Sequence, residues 1–321
     1  MRLSLSRLTP LLTLIIFSIS GCALLDAAGD ASGNDAQTGM LDAGADGATS
    51  TDAVPSTDAE VTPDASGNGP AFVTRWKNAD DTPASRFTVA LPLVENGIYD
   101  FSVDWGDGNT AQITQWDSED TKHTYVAEIS EATITIRETI HGWAFKEGGI
   151  SVKNLREIKA WGPLQLGETT HQFENAANLR ITATDTPDLS ATTSLVGMFM
   201  NAESLDRNAA MQAWDVSHIT SMRGMFDGAI SFNQPLGEWD IRRVKSMEDM
   251  FKGVTLSEDV YDQILTGWAE FAEPRESGVI FSGGNSTVGS QEATTARAKL
   301  LTDYCWTISD ATSYPSRVCL N

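Results

Sequence analysis

Two stretches in the middle of the chain repeat each other, and no other feature restricts the fold as much. Asp215-Val216-Ser217-His218-Ile219-Thr220-Ser221-Met222-Arg223-Gly224-Met225-Phe226 returns 25 residues later as Asp240-Ile241-Arg242-Arg243-Val244-Lys245-Ser246-Met247-Glu248-Asp249-Met250-Phe251, with Trp214 and Trp239 ahead of the two copies. A weaker copy runs from Leu189 to Met198-Phe199, and a more degenerate one places Phe173 and Leu179 where Phe199 and Leu205 come next. The additional residues fall between Leu205 and Trp214, in a connection. A unit of this length cannot bury its apolar side alone, so it must stack on its neighbours. Such chains build binding surfaces more often than active sites.

Within one copy Ile219, Met222, Met225, Phe226 and Ala229 carry the spacing of one helix face, and Val244, Met247, Met250, Phe251 and Val254 repeat it. Trp239-Asp240-Ile241 reads as a short extended rung. The expected unit is strand, turn, helix, turn, and the expected fold is an α/β solenoid of short strand–helix repeats. Seven of the nine methionines lie between Met198 and Met250, two pairs at Met-x-x-Met spacing. Thioethers suit Cu(I), but no His or Cys stands beside the pairs, and they share the apolar register of the phenylalanines. The repeat core is therefore read as Met198, Phe199, Trp214, Met222, Met225, Phe226, Trp239, Met247, Met250 and Phe251, with no metal and no cofactor.

The pattern from Trp214 to Asp240, with Phe232-Asn233-Gln234 and Leu236 in place, resembles the BspA-like leucine-rich-repeat surface proteins, the group carrying the domain of unknown function numbered 285 (DUF285). Tyr261 to Trp268, Phe281 to Ser286 and Ala296 to Ile308 look like the C-terminal cap of the same proteins. The resemblance implies a leucine-rich-repeat-like solenoid over 151–258, a cap over 259–321, and adhesion or partner binding at a bacterial surface.

The N-terminus points to the cell envelope. Arg2 and Arg7 precede the apolar run Leu11 to Phe17, which ends in Ile19-Ser20-Gly21-Cys22. This resembles a lipoprotein signal peptide, residues 1–22, and implies a lipid on Cys22. Ala23 after the lipidated position favours, by the same analogy, the outer membrane. An ordinary secretory signal is the alternative. Residues 23–70 hold nine acidic residues and neither Lys nor Arg. Low hydrophobicity with one-signed charge predicts a disordered acidic tether. The carboxylates lack the spacing of a calcium loop. Of the formal net charge of −22, the leader carries two Arg and the tether nine acids, which leaves −15 on residues 71–321. That balance argues against nucleic acid and anionic lipid headgroups as partners.

Residues 71–150 read as a strand-rich segment. Val103-Asp104-Trp105-Gly106-Asp107-Gly108, followed by His123-Thr124-Tyr125, resembles PKD-type domains and implies a small all-β sandwich. Asp104 and Asp107 could meet a cation, although Asp and Gly at a tight turn need none. Cys305 and Cys319 would pair in an oxidising envelope, closing a 15-residue loop worth about 3 kcal/mol; two free thiols are the alternative. No nucleophile elbow, zinc helix or phosphate loop is present, and His123, His141, His171 and His218 are scattered. The sequence thus suggests a lipid-anchored, non-catalytic surface protein whose repeats bind another protein or a surface polysaccharide; a carbohydrate-binding or purely architectural envelope component is the alternative. Exposed Trp105, Trp116 or Trp143 would favour sugar; an apolar patch on the repeats would favour protein.

Overall fold

The computed structural model describes residues 69–79, 86–126, 128–145, 151–270 and 277–312. The leader, Cys22 and the acidic stretch as far as residue 68 lie outside the described residues, as does Cys319. The first strands are β1 (Ala71–Lys77), β2 (Thr88–Ala90), β3 (Ile98–Asp104), β4 (Thr110–Ile113), β5 (Lys122–Thr124) and β6 (Glu131–His141). They continue into β7 (Leu155–Ala160), β8 (Leu164–Gln165) and β9 (Arg180–Ile181).

Strict alternation builds the main sheet. Phe72, Thr74 and Trp76 of β1, Tyr99, Phe101 and Val103 of β3, and Ala132, Ile134 and Ile136 of β6 all point to one buried side. The seven-stranded sheet runs β4-β3-β6-β1-β7-β9, with β8 added to the end of β6. Pairing is antiparallel from β4 to β7 and parallel for β7–β9 and β6–β8. The expected sandwich is not formed. Among β1 to β9 only β2 and β5 lie off this sheet, as a two-stranded ribbon, and the sheet itself runs on past residue 150 because β7 takes the free edge of β1.

The α/β solenoid is also overturned. The structure is a mixed, sheet-dominated fold, and among the described residues its α-helices are α1 (Glu258–Glu270) and α2 (Gln291–Asp303), both after the repeats. The segment 219–229, expected as a helix, is a run of turns, and Trp239-Asp240-Ile241 is not a strand. The reason lies in where the amides donate. Met222, Gly224, Phe226 and Gly228 give their N–H groups to Ser246, Glu248, Met250 and Lys252 of the next copy, while Met225, Asp227 and Ala229 close four-residue turns on Met222, Gly224 and Phe226. Leu195, Gly197, Phe199 and Asn201 do the same toward Ser221, Arg223, Met225 and Asp227. Every second amide is thus unavailable to an i−4 carbonyl, and a helix cannot form.

The backbone alternation needs left-handed residues, and each copy supplies two, four apart: His171 and Asn175, Gly197 and Asn201, Gly224 and Gly228, Asp249 and Gly253, all with φ between 56° and 78°. The copies sit in register, so equivalent rings meet. Phe173, Phe199, Phe226 and Phe251 form one stack with centroids 5.7, 5.8 and 5.5 Å apart, and Trp214 lies 6.2 Å from Trp239.

Beyond the last copy, β10 (Ser246–Met247), β11 (Ile280–Ser282) and β12 (Thr307–Ser309) form a parallel three-stranded sheet. Helix α1 buries Val260, Ile264, Leu265 and Trp268. Helix α2, capped by Ser290, holds the buried Arg297, which grips Asp310 through two hydrogen bonds of 2.9 and 3.1 Å.

Candidate binding groove

A groove of about 590 Å³ opens where the ribbon β2–β5 meets the edge of the main structure. Its floor is Leu91, Leu93, Val94, Ala144 and Phe145; Trp116, Lys122, Glu95 and Thr88 stand around it. The apolar run Leu91-Pro92-Leu93-Val94 follows β2 and is held in shape by polar contacts. The Leu91 amide donates to Thr121 O and the Ala144 amide to Pro92 O. The Tyr99 hydroxyl accepts the Val94 N–H at 2.8 Å and lies 3.0 Å from Gly142 O, to which it donates. Burial raises the Tyr99 phenol above its ordinary value, so it stays a neutral donor. Ser151 Oγ accepts the Ala90 N–H at 2.7 Å and ties the ribbon to the segment leading into β7.

Trp116 sits in the turn between β4 and the single helical turn Glu119–Thr121 that leads into β5. It is 43 % exposed, whereas the other eight of the nine tryptophans are buried. Trp105 and Trp143, the other two aromatics that would have favoured sugar, belong to the core. Lys122 and Glu95 are exposed, and neither side chain has a partner among the described residues. The groove therefore combines an open indole, an apolar floor, a free donor and a free acceptor.

The motif at Asp104-Trp105-Gly106-Asp107 is built inward. Asp104 accepts the Gly106 N–H at 2.8 Å, Asp107 accepts the Asn109 N–H at 3.1 Å, and Asp107 Oδ2 lies 2.7 Å from His123 Nε2. The Trp105 indole stacks on the His123 ring at 5.0 Å, and the Tyr125 hydroxyl donates to the Trp105 carbonyl at 2.7 Å. Burial pushes the Asp107 carboxyl up, but hydrogen bonds from His123 and Asn109 outweigh it and leave the group below its ordinary range. Burial, then the charges of Asp107 and Asp104, hold the Tyr125 phenol well above its own. Both carboxylates are engaged by their own turn. Among the described residues no group of three or more His, Cys, Asp or Glu side chains could hold a metal ion.

The repeat residues named from the sequence come together as core. Met198, Phe199, Trp214, Met222, Met225, Phe226, Trp239, Met247, Met250 and Phe251 are all buried. Outward the repeats are mostly polar, with Thr193, Thr220 and Lys245 in one row and Arg223 beside Glu248, while Ile230 is an exposed apolar exception. His218 is half-buried, with Nε2 2.6 Å from Leu189 O. Cys305 is disulfide-bonded. Sequence reasoning named Trp116 but missed Leu91, Leu93 and Val94; the signal was an apolar run continuing past a strand already complete at Ala90.

Residues 167–285 match the family described as "Mycoplasma protein of unknown function, DUF285". No curated protein and no solved structure matches the chain.

Proposed function

We propose that the chain is a non-catalytic binding protein of a bacterial envelope, held by a lipid on Cys22 and contacting its ligand through the Trp116 groove. The observation that carries this is the single open indole among nine tryptophans, set over an apolar floor with an unpaired ammonium and carboxylate at its rim. Clustered aromatic, apolar and convergent polar groups in a concavity of this volume are the usual composition of a ligand site. The repeats expose Ile230 but are otherwise polar outward, so they offer a protein partner less apolar surface than the groove. On this reading the BspA-like likeness reflects a shared stacking scaffold that positions the groove, and the PKD-like likeness a shared turn motif that stiffens it. The leader and the acidic stretch suit a lipid anchor and spacer.

Two measurements test the proposal. Cys22→Ala should abolish incorporation of a labelled palmitate analogue and release the chain from the membrane fraction. Immobilised envelope extract should bind the full chain and lose Trp116→Ala. Full retention of binding by that variant, with its folding intact, sinks the assignment of the groove.

A further inference from the structure

We infer that the Trp116 groove takes a neutral pyranose unit of a glycan chain, an assignment that rests on the groove being the ligand site. A pyranose is amphipathic in the sense the groove requires. One face of the ring presents C–H bonds, which are apolar and weakly positive, and packs on the electron-rich face of an indole. Trp116 is the tryptophan whose ring is open to receive it, at 43 % exposure against eight buried ones. Leu93 and Val94 extend the apolar surface.

The rim decides between occupants. The Lys122 ammonium only donates and the Glu95 carboxylate only accepts, while the Thr88 hydroxyl is already paired with that of Thr124 at 2.7 Å. Sugar hydroxyls donate and accept, so one saccharide can answer both Lys122 and Glu95. A purely hydrocarbon occupant such as an acyl chain would cover Lys122 and Glu95 and leave them without partners, which is costly. A polyanion would meet Glu95 and the net charge of −15 that residues 71–321 carry. A neutral glycan meets neither obstacle.

The experiment uses the full chain in detergent micelles and titrates neutral hexasaccharides (cellohexaose, mannohexaose, xylohexaose), with hexagalacturonate as the acidic comparator. Binding of a neutral hexasaccharide should shield tryptophan fluorescence from acrylamide, weaken at least about tenfold in Trp116→Ala and much less in Trp116→Phe. Its Kd should move less than about twofold between low and high salt. Preference for hexagalacturonate with steep salt dependence would overturn the neutral assignment. Binding of envelope extract that needs Trp116, resists periodate, falls to protease and is matched by no hexasaccharide would overturn the saccharide and leave the groove standing. Unchanged binding by Trp116→Ala would remove both readings. An unshifted urea midpoint shows that each variant is folded.

Discussion

Single residues set the geometry of the repeats. Asp188, Asp215 and Asp240 each accept the amide two residues on, from Ser190, Ser217 and Arg242, at 2.9, 3.0 and 3.1 Å. These side-chain turns explain why Asp returns at the head of each copy. Left-handed positions matter as much, and Gly197 is the most constrained of them. Its φ is 63°, and a Cβ there would collide with the His171 ring of the preceding copy. Gly108 in the β3–β4 turn also has positive φ, at 90°, but faces open space. Gly108→Ala should therefore lose about 1–2 kcal/mol from backbone strain alone, and Gly197→Ala roughly 1–3 kcal/mol more from the collision. Urea unfolding of both variants checks this; equal losses would show that the packing of His171 on Gly197 is not tight.

At the scale of elements, ring stacking and interlocking turns replace the helices that the periodicity predicts. Phe226 lies between Phe199 and Phe251 and also meets Phe232 at 4.0 Å. Phe226→Ala should cost about 3–5 kcal/mol, and Phe226→Leu, which keeps most of the volume, markedly less; denaturant midpoints distinguish them. The apolar spacing that suggested a helix was real. Ile219, Met222, Met225, Phe226 and Ala229 are all buried, but four-residue turns bring positions three apart to the same side just as a helix does. The legible contrary signal was Gly224-x-x-x-Gly228, echoed by Gly197-x-x-x-Asn201, because glycine is poor inside a helix and at ease in the left-handed region. Far-UV circular dichroism of the described residues should accordingly show α-helix from α1 and α2, two elements of 13 residues each. A spectrum dominated by helix would contradict the turn assignment.

Over the whole molecule, acidity and stability are coupled. Asp107, Glu157 and Asp188 feel burial most strongly, which pushes them up, yet donated hydrogen bonds bring all three below the ordinary carboxylate range. Asp215 and Asp240 are lowered first by hydrogen bonds from Ser217 and Arg242. A carboxyl whose folded pKa lies below its unfolded value contributes stability that is present above the unfolded value, about 4, and is lost as pH falls through the folded one. Unfolding free energy from urea titrations should hold or rise slightly from pH 8 to about 5, as self-repulsion relaxes, and drop below about pH 4. A chain most stable near pH 3 would contradict these five assignments. The pair of Arg297 and Asp310 is buried, 4 % and 1 % exposed, and Asp310→Asn should cost roughly 3–5 kcal/mol by removing the charge that balances the buried guanidinium.

From the sequence alone came the length of the repeat, the identity of the residues that must be buried, and the Asp-Gly turn at the end of β3. Burial and turn chemistry are written locally, in side-chain polarity and in the residues that tolerate unusual backbone angles. Only the tertiary structure decided that the repeats are turns rather than helices, that β7 joins the sheet of β1, and that Trp116 alone among the tryptophans stays open. In each case the deciding partner lies far along the chain. An amide that can donate to its own fourth neighbour or to a carbonyl about 25 residues away has its choice made by the neighbour that packs against it.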